Sequence, residues 1–133
     1  MSNRVRRLEG EPPSPWERPY GFARVVRFDR VVLVGGTTSV DEDGVVRGET
    51  AYAQTVEILR KIEYELGRAG AGLADVLQTR AYVTDIARAD EVGRAHGERF
   101  GSVRPVMTMV EVSALIDPRM LVEVEAVAVI GWA

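Results

Sequence analysis

The 133-residue sequence contains no cysteine, a single histidine (His96) and no long apolar run. Without cysteine, disulfides, thiolate chemistry and cysteine-based zinc sites are excluded. One histidine also excludes a histidine-rich metal site within one chain. A carboxylate site for magnesium or calcium stays open, but no loop has the dense Asp, Asn and Gly spacing of such sites. No apolar run approaches the ~18 residues that a membrane-spanning helix needs.

Charge and composition limit the partners of the protein further. The sequence carries 17 basic and 20 acidic residues, giving a formal net charge of -3, and 46% of its residues are hydrophobic. This acidic balance argues against binding of nucleic acid through the phosphate backbone. The basic N-terminal stretch is not followed by an apolar segment, so we expect no secretory signal and a cytoplasmic protein. Length and composition predict one domain over residues 1–133.

The spacing of apolar residues predicts an α+β fold in the order β-β-β-α-β-α-β-β, a mixed sheet with both helices on one face. Four prolines within residues 12–19 argue against regular structure there. A tight Phe28-Asp29 turn joins the second and third strands, and Gly35 and Gly36 are expected to end the third and to let another backbone or a ligand approach closely. The predicted strands cover residues 3–9, 22–27, 30–34, 76–84, 106–112 and 121–130.

Two segments have the 3.6-residue period of a helix. The first begins after Thr50, the expected N-cap, and would end at Gly67 or Gly70; the second covers residues 89–100. The glycine-rich stretch at residues 67–72 follows a helix rather than a strand, so it does not fit a dinucleotide-binding loop. The apolar stripe of the first helix is predicted to consist of Val56, Leu59, Ile62 and Leu66.

The last predicted strand, residues 121–130, is largely apolar on both faces. Since the two helices cover only one face of the sheet, the other face is expected to meet a neighbouring subunit. The pattern therefore predicts an oligomer. One face of the strand carries Val122, Val124, Ala126, Ala128 and Ile130, and the other carries Leu121, Glu123, Glu125, Val127 and Val129.

Two acidic side chains and the one histidine are the first candidates for chemistry. Glu123 and Glu125 lie on one side of the last strand, roughly 7 Å apart. They either form ion pairs between subunits, or one is desolvated in a cleft and handles a proton or a water. His96 aligns with Val92 and Phe100 on an apolar helical stripe, which suits a core histidine as well as a general base.

Further candidates lie in the fifth strand and near the N-terminus. Met107 and Met109 are typical of gap-filling core or interface residues. Thr108 points to the opposite face, where its hydroxyl would serve a ligand or the backbone. Four arginines form a solvated face, or one of them holds an anion. These arginines are Arg18, Arg24, Arg27 and Arg30.

Five segments carry a family resemblance through their order and spacing, and together they cover nearly the whole chain. They are RPYGFARVVRFDRVVLVGGTTSVDEDG, LADVLQTRAYVTDI, DEVGRAHGERF, RPVMTMVEVSAL and LVEVEAVAV. In these segments the sequence resembles the RidA (YjgF) family. The resemblance implies a chorismate-mutase-like fold and a homotrimer whose sheets form an inner barrel, with three ligand clefts between subunits.

The same resemblance implies an activity and the absence of a cofactor. Deaminases of the family hydrolyse reactive enamines and imines, with an arginine that holds the substrate carboxylate and a glutamate that positions the attacking water. The glutamate matches Glu123, the expected catalytic residue. The arginine matches Met107, two residues after Pro105. A thioether cannot make the charge-assisted contact of a guanidinium, so the resemblance implies weakened or lost deaminase activity.

Other family positions are kept in part. Tyr20 matches a family tyrosine, whereas Gly35 stands where a serine is common, and Gly93 and His96 stand where an asparagine and a tyrosine are common. The residues expected to contact a ligand are Tyr20, Gly35, Gly36, His96, Met107 and Thr108.

Two functions from different classes fit this set. The first is a diverged hydrolase or isomerase of a small carbonyl or imine compound, in which Glu123 holds a water with support from His96 or Thr108. Arg104 would replace the missing arginine if a bend at Pro105 turned it toward the site. The second is a trimer that binds a small metabolite or a partner without turnover, which Met107 favours. A ribonuclease, a label that some family members carry, fits the acidic charge poorly.

Overall fold

Residues 5–131 form one six-stranded sheet with two long helices packed against the same face. The structure is a computed structural model in which residues 5–131 are described. The predicted order of strands and long helices is confirmed. The strands are β1 (Val5–Leu8), β2 (Val25–Phe28), β3 (Val31–Thr37), β4 (Val76–Val83), β5 (Val106–Glu111) and β6 (Val122–Val129), and the helices are α1 (Glu17–Tyr20), α2 (Ala51–Arg68) and α3 (Ala89–Phe100).

The strand order in the sheet is β1-β2-β3-β6-β4-β5. Strands β4 and β5 run parallel, and every other neighbouring pair is antiparallel. Helix α3 makes the crossover that a parallel pair requires. The last strand therefore lies inside the sheet, between β3 and β4. No helix within residues 5–131 is long and apolar enough to cross a membrane.

The two faces of β6 differ as its alternation predicts. Side chains at the even positions Val122, Val124, Ala126 and Ala128 are at most 2% exposed and belong to the core beneath α2 and α3. Those at the odd positions, from Glu123 to Val129, are only half-buried, because they lie on the sheet face that neither long helix covers. We call this surface the open face.

Helix α2 packs through a stripe that was only partly predicted. Thr50 caps the helix as expected, since its side chain accepts a hydrogen bond from the Ala53 N–H at 3.0 Å. Val56 is 40% exposed, contrary to the prediction. At 100° per residue it lies ~120° around the helix from Ile62, outside the apolar stripe. The fully buried side chains of the stripe are Ile58, Leu59, Ile62 and Leu66.

The end of α2 and the first hairpin also differ slightly from the prediction. The helix continues through Gly67 and ends at Arg68, and the chain then turns at Gly70, whose φ is +88°. The turn between β2 and β3 lies at Asp29 and Arg30, one residue later than predicted, with Asp29 at φ +56°. Residues 3 and 4 of the first predicted strand lie outside the described residues.

Gly35 and Gly36 do not end the third strand, as the sequence predicted; they lie inside it. Strand β3 runs on to Thr37, and its register with β6 shifts between Val34 and Thr37. Glycines inside a strand mark a bulge or a close approach as readily as an end. The shift opens space beside the first residues of β6.

The proline-rich segment contains one helical turn, α1, where no regular structure was predicted. Pro19 is tolerated because the first turn of a helix needs no backbone N–H donors within the helix. Glu17 begins the turn and is 1% exposed. Its carboxylate accepts hydrogen bonds from the backbone N–H groups of Gly10 at 2.8 Å and Ser14 at 2.6 Å. This buried carboxylate holds the proline-rich segment against the end of the sheet.

Candidate functional site

A cavity of about 1070 Å³ opens where β3 ends and β6 begins. This volume is close to the range of ~300–1,000 Å³ typical of small-molecule sites. Its walls are the proline-rich segment, the turn at residues 41–44, one side of α2 and the end of the sheet. Side chains or backbone that line it include Trp16, Tyr20, Phe22, Arg24, Gly36, Thr37, Lys61, Tyr64, Met120 and Glu123.

Glu123 reaches the cavity from the second residue of β6. Its side chain is half-buried, and no residue within 5–131 gives it a hydrogen bond or an ion pair. Burial raises the pKa of Glu123 above its ordinary value; the charge of Glu125 raises it further, and the charge of Arg24 opposes both. A carboxyl group with a raised pKa and free lone pairs can accept and return a proton.

Gly36 makes the place that Glu123 occupies. A Cβ atom at position 36 would lie 2.5 Å from Oε2 of Glu123, closer than side-chain atoms approach one another. At Gly35 the nearest atoms to such a Cβ are backbone oxygens at 3.5 and 3.8 Å, which is ordinary contact. The second glycine therefore lets the carboxylate lie directly against the strand, and the first has no such role.

Arg24 forms the opposite side of this contact. Its backbone is held between β1 and β3, because its N–H donates to the Leu8 carbonyl and its carbonyl accepts from the Gly35 N–H, both at 2.9 Å. Its side chain is 16% exposed. Nη1 donates to the carbonyl of Gly36 and lies 3.4 Å from Oγ1 of Thr37. Arg24 and Glu123 thus both touch Gly36, and the guanidinium carries a fixed positive charge into the cavity wall.

Glu17 lies next to Arg24, and its pKa is lowered, which favours the charged carboxylate. Burial alone would raise the pKa of Glu17, but the hydrogen bonds from Gly10 and Ser14 and the charge of Arg24 outweigh it, so the pKa is lowered. The shortest distance between the two side chains, from Nη2 of Arg24 to Oε2 of Glu17, is 4.0 Å. This is a loose ion pair rather than a hydrogen bond.

Lys61 adds a second cation on the helix side of the cavity. Its Nζ donates to the backbone carbonyls of Thr38 at 2.5 Å and Val40 at 2.8 Å, which ties the segment after β3 to α2. Burial, followed by the charge of Arg24, lowers the pKa of Lys61 to about 8. The sheet end of the cavity therefore has two cations, Arg24 and Lys61, beside a carboxyl group that no residue within 5–131 pairs with.

Aromatic side chains form the outer wall. Tyr20 is 67% exposed, Phe22 is 44% exposed and Trp16 is half-buried. The Tyr64 hydroxyl donates to Glu11 at 2.5 Å, which connects α2 to the proline-rich segment. Apolar walls around a few polar groups are the usual composition of a small-molecule site. No cluster of His, Asp or Glu within residues 5–131 could hold a metal ion.

The structure brings three of the predicted site residues together and places the others elsewhere in the chain. Tyr20, Gly36 and Glu123 line the cavity. Gly35 lies instead in a shallow depression of the open face, beside Leu33, Arg80 and Glu125. The other predicted residues, which are His96, Met107 and Thr108, do not line the cavity of this chain.

His96 and Met107 lie on the helix-covered side of the sheet. His96 Nε2 is 2.8 Å from the Thr79 hydroxyl, and its ring centroid is 4.6 Å from that of Phe100. Burial lowers the pKa of His96, which favours a neutral imidazole. Met107 packs against the core, whereas Thr108 is exposed on the open side of β5. Within one chain, therefore, neither His96 nor Thr108 supports Glu123.

The sequence did not single out Arg24 and Lys61. Arg24 was counted among four arginines of a possible solvated face, because nothing in its neighbourhood marks it as buried. Lys61 occupies an ordinary position in a helical period. The only available signal was indirect and concerned Arg24 alone, which precedes the Gly35-Gly36 pair where the register of β3 shifts. Lys61 instead contacts the carbonyls of Thr38 and Val40, which no sequence motif marks.

Comparison with known proteins gives consistent matches. The model of the Endoribonuclease L-PSP family matches residues 16–130. Rv2704 of Mycobacterium tuberculosis, a member of the YjgF/YER057c/UK114 family, is 47% identical, with a TM-score of 0.85 over 95% of this chain and 99% of that one. The Streptomyces coelicolor protein SCO2049 is 39% identical over 98% of this chain and 96% of its own length. A RutC family protein of Pyrococcus abyssi is 31% identical over 84% of this chain and 88% of its own.

Proposed function

Because the chain belongs to the endoribonuclease L-PSP family, which is also the RidA/YjgF family, we propose that its cavity binds a small carbonyl or imine compound beside Glu123. The observation that carries this proposal is the half-buried Glu123 carboxyl group, which lines a cavity and has no protein partner within residues 5–131. A buried carboxyl group without a partner is costly to the fold. A bound ligand or water that donates to it would offset that cost.

The chemistry that follows is hydrolysis of an imine. Glu123 accepts a proton from a water molecule as the water oxygen bonds to the imine carbon. The proton then passes to the nitrogen, which gives a carbinolamine. Glu123 next accepts the hydroxyl proton of this intermediate and delivers it to the nitrogen as the carbon–nitrogen bond breaks, so the products are a carbonyl compound and ammonia. A raised pKa suits both steps, since the same group must take up and release the proton. We expect slow turnover, because Met107 occupies the position of the family's substrate-binding arginine.

The same proposal includes a homotrimer assembled through the open face. Several apolar side chains on this face are well exposed in one chain: Leu33 is 46% exposed, Val106 is 66% exposed and Val110 is 41% exposed. Such a surface is typical of a face covered by a neighbouring subunit. Three copies of the 14.6-kDa chain would have a mass of about 44 kDa. A trimer would also bring side chains of one subunit, such as Thr108, near the cavity of another.

A second candidate is binding without turnover. It is favoured by Met107, which lies on the core side of β5 in this chain and carries no charge. Action on RNA is less well supported, because the net charge of -3 and the acidic groups around the cavity repel a phosphate backbone.

The test compares the wild-type protein with Glu123→Gln on an imine of pyruvate generated in situ, with ammonia release as the readout. Glu125→Gln is the matched control, since it removes the same charge two residues away. We expect release above the uncatalysed rate for the wild type and the control, and release at the uncatalysed rate for Glu123→Gln. Equal rates in all three proteins would contradict the catalytic role. Ligand binding that persists without any turnover would favour the second candidate.

A further inference from the structure

We propose that Arg24 is the anion-binding residue of the cavity, and that it holds the carboxylate of a small 2-oxo acid or of the corresponding imine next to Glu123. This inference rests on the proposed function, because it assigns a charge to the compound that the cavity binds. Arg24 and Glu123 line the same cavity of one chain, whereas Met107, at the position of the family's arginine, does not line it.

The first support is the unused hydrogen-bonding capacity of Arg24. A guanidinium has five N–H donors. Nη1 is engaged by the Gly36 carbonyl and the Thr37 hydroxyl, whereas Nε and Nη2 have no acceptor within hydrogen-bond distance among residues 5–131. Nε and Nη2 together form the edge of a guanidinium that binds a carboxylate through two parallel hydrogen bonds. Arg24 therefore has the bidentate edge available while its other edge is fixed.

The second support is rigidity. The side chain of Arg24 is only 16% exposed, and its backbone is bonded on both sides, to Leu8 and to Gly35. Because the Arg24 side chain is already held in place, ligand binding costs little of its conformational entropy. An arginine on a solvated face would lose far more side-chain freedom.

The third support is incomplete charge compensation. Glu17 is the closest carboxylate, at 4.0 Å, and it is fixed by two backbone N–H groups of its own. Lys61 adds a further positive charge on the same side. Glu123 lies on the other side of Gly36 and forms no ion pair with Arg24. The guanidinium of Arg24 therefore keeps an edge that neither Glu17 nor Glu123 occupies.

Arg104 is the rival suggested by the sequence, and its place in the fold does not support it. It is exposed, has a φ of +57° and precedes the edge strand β5. Strands β6 and β5 are separated by β4, which puts them ~10 Å apart in the sheet. Arg104 does not line the cavity of its own chain.

The experiment measures binding of pyruvate and of pyruvamide, which has nearly the same shape without the charge. Trp16 lines the cavity, so its fluorescence reports binding, and Trp132→Phe in every protein leaves Trp16 as the only tryptophan. The variants are Arg24→Gln, Arg24→Lys and, as the matched control, Arg104→Gln. We expect Arg24→Gln to weaken pyruvate binding by about tenfold or more, a loss of about 1.4 kcal/mol per factor of ten. Pyruvamide binding should stay near its wild-type value.

The remaining outcomes separate the two proposals. Arg24→Lys keeps the charge but not the bidentate edge, so its pyruvate affinity should lie between those of the wild type and Arg24→Gln. Unchanged pyruvamide binding shows that the cavity of a variant is intact. If Arg24→Gln binds pyruvate like the wild type, or if Arg104→Gln is the variant that loses it, the assignment of Arg24 is overturned while the proposed function stands. If the wild type binds neither compound, the proposed function fails and the assignment fails with it.

Discussion

Two glutamates of the same strand, on the same face, have opposite environments. Glu125 accepts a hydrogen bond from the Tyr82 hydroxyl and lies 3.7 Å from the guanidinium of Arg80, so its charge is compensated on the open face. Glu123, two residues earlier, has neither kind of partner among residues 5–131 and lies in the cavity. The strand alternation places both glutamates on one side of β6 and cannot distinguish them. The residues beside them on β3 and β4 make the difference.

The difference between the two glutamates reflects two parts of the sheet, one with regular strand pairing and one where the pairing is interrupted. The middle of β6 is flanked by regular pairing on both sides, and its one charged side chain, Glu125, has partners supplied by β4. At the start of β6 the register shift in β3 leaves a gap, and Gly36 lets the Glu123 carboxylate fill part of it. Functional carboxyl groups are expected where the regular structure stops satisfying them.

After the complete loss of turnover expected of Glu123→Gln, the largest effect is expected from Gly36→Ala. The new methyl group would lie 2.5 Å from Oε2 of Glu123, so the carboxylate must move away from its present place. A misplacement of ~1 Å in a reacting group can cost about a hundredfold in rate. We therefore expect ammonia release from the pyruvate imine to fall by about that factor, with stopped-assay kinetics as the measurement.

Gly35→Ala provides the control for that change. Its methyl group would meet only backbone oxygens at 3.5 and 3.8 Å, so the same addition to the same strand should leave turnover near the wild-type rate. Equal losses of turnover in the two variants would mean that any change in the β3 bulge impairs the protein. The claim that Gly36 in particular positions the Glu123 carboxylate would then be wrong.

Much of the fold was predictable from the sequence, because it depends on local periodicity. The N-cap at Thr50, helix α3 and the alternation of β6 all follow from patterns within a few residues. The misplaced end of β3 has a different origin. Glycine is compatible with a strand end and with a bulge, and the choice depends on pairing with β6, which is some 90 residues away in the chain.

The candidate site was predictable only in part, for a similar reason. The family resemblance pointed to Glu123 and Tyr20, which do share the cavity. It offered no means of finding Arg24, whose burial results from Glu17 of the proline-rich segment and from the carbonyl of Gly36. These contacts join segments that are distant in sequence and have no common motif. Tertiary placement, rather than residue type, makes Arg24 a candidate.

A smaller effect, on stability rather than turnover, is expected from Glu125→Gln. The change removes the carboxylate that pairs with Arg80 and weakens the hydrogen bond from Tyr82. Because the pair is partly exposed, we expect a loss of roughly 1 kcal/mol in the free energy of unfolding. Thermal denaturation measures this loss.

The oligomeric state should not change with this substitution. Light scattering should report a mass of about three times 14.6 kDa for the wild type and for Glu125→Gln. A monomeric wild type would contradict the proposed trimer and leave the apolar open face unexplained.

The smallest effect is a pH dependence that belongs to Glu123 alone. Burial, and after it the charge of Glu125, raises the pKa of this carboxyl group above the ordinary value of 4.5 in the folded protein. Below that ordinary value the group is protonated in both the folded and the unfolded state and causes no loss of stability. As the pH rises through the folded pKa, the native state must either keep a proton that the unfolded state has released or hold a buried charge. Stability therefore falls with rising pH because of this group.

Glu123→Gln removes that dependence while keeping the shape of the side chain. The melting temperature of the variant relative to the wild type should therefore be higher at about pH 8 than at about pH 4, where both forms of residue 123 are neutral. Glu125→Gln should show less of this trend, because it removes only the smaller contribution of the Glu125 charge and leaves Glu123 buried. If Glu123→Gln instead loses stability as the pH rises, the charge of Arg24 outweighs burial at Glu123. The carboxyl group would then be an ion-pair partner of Arg24, and neither group would be free for a ligand.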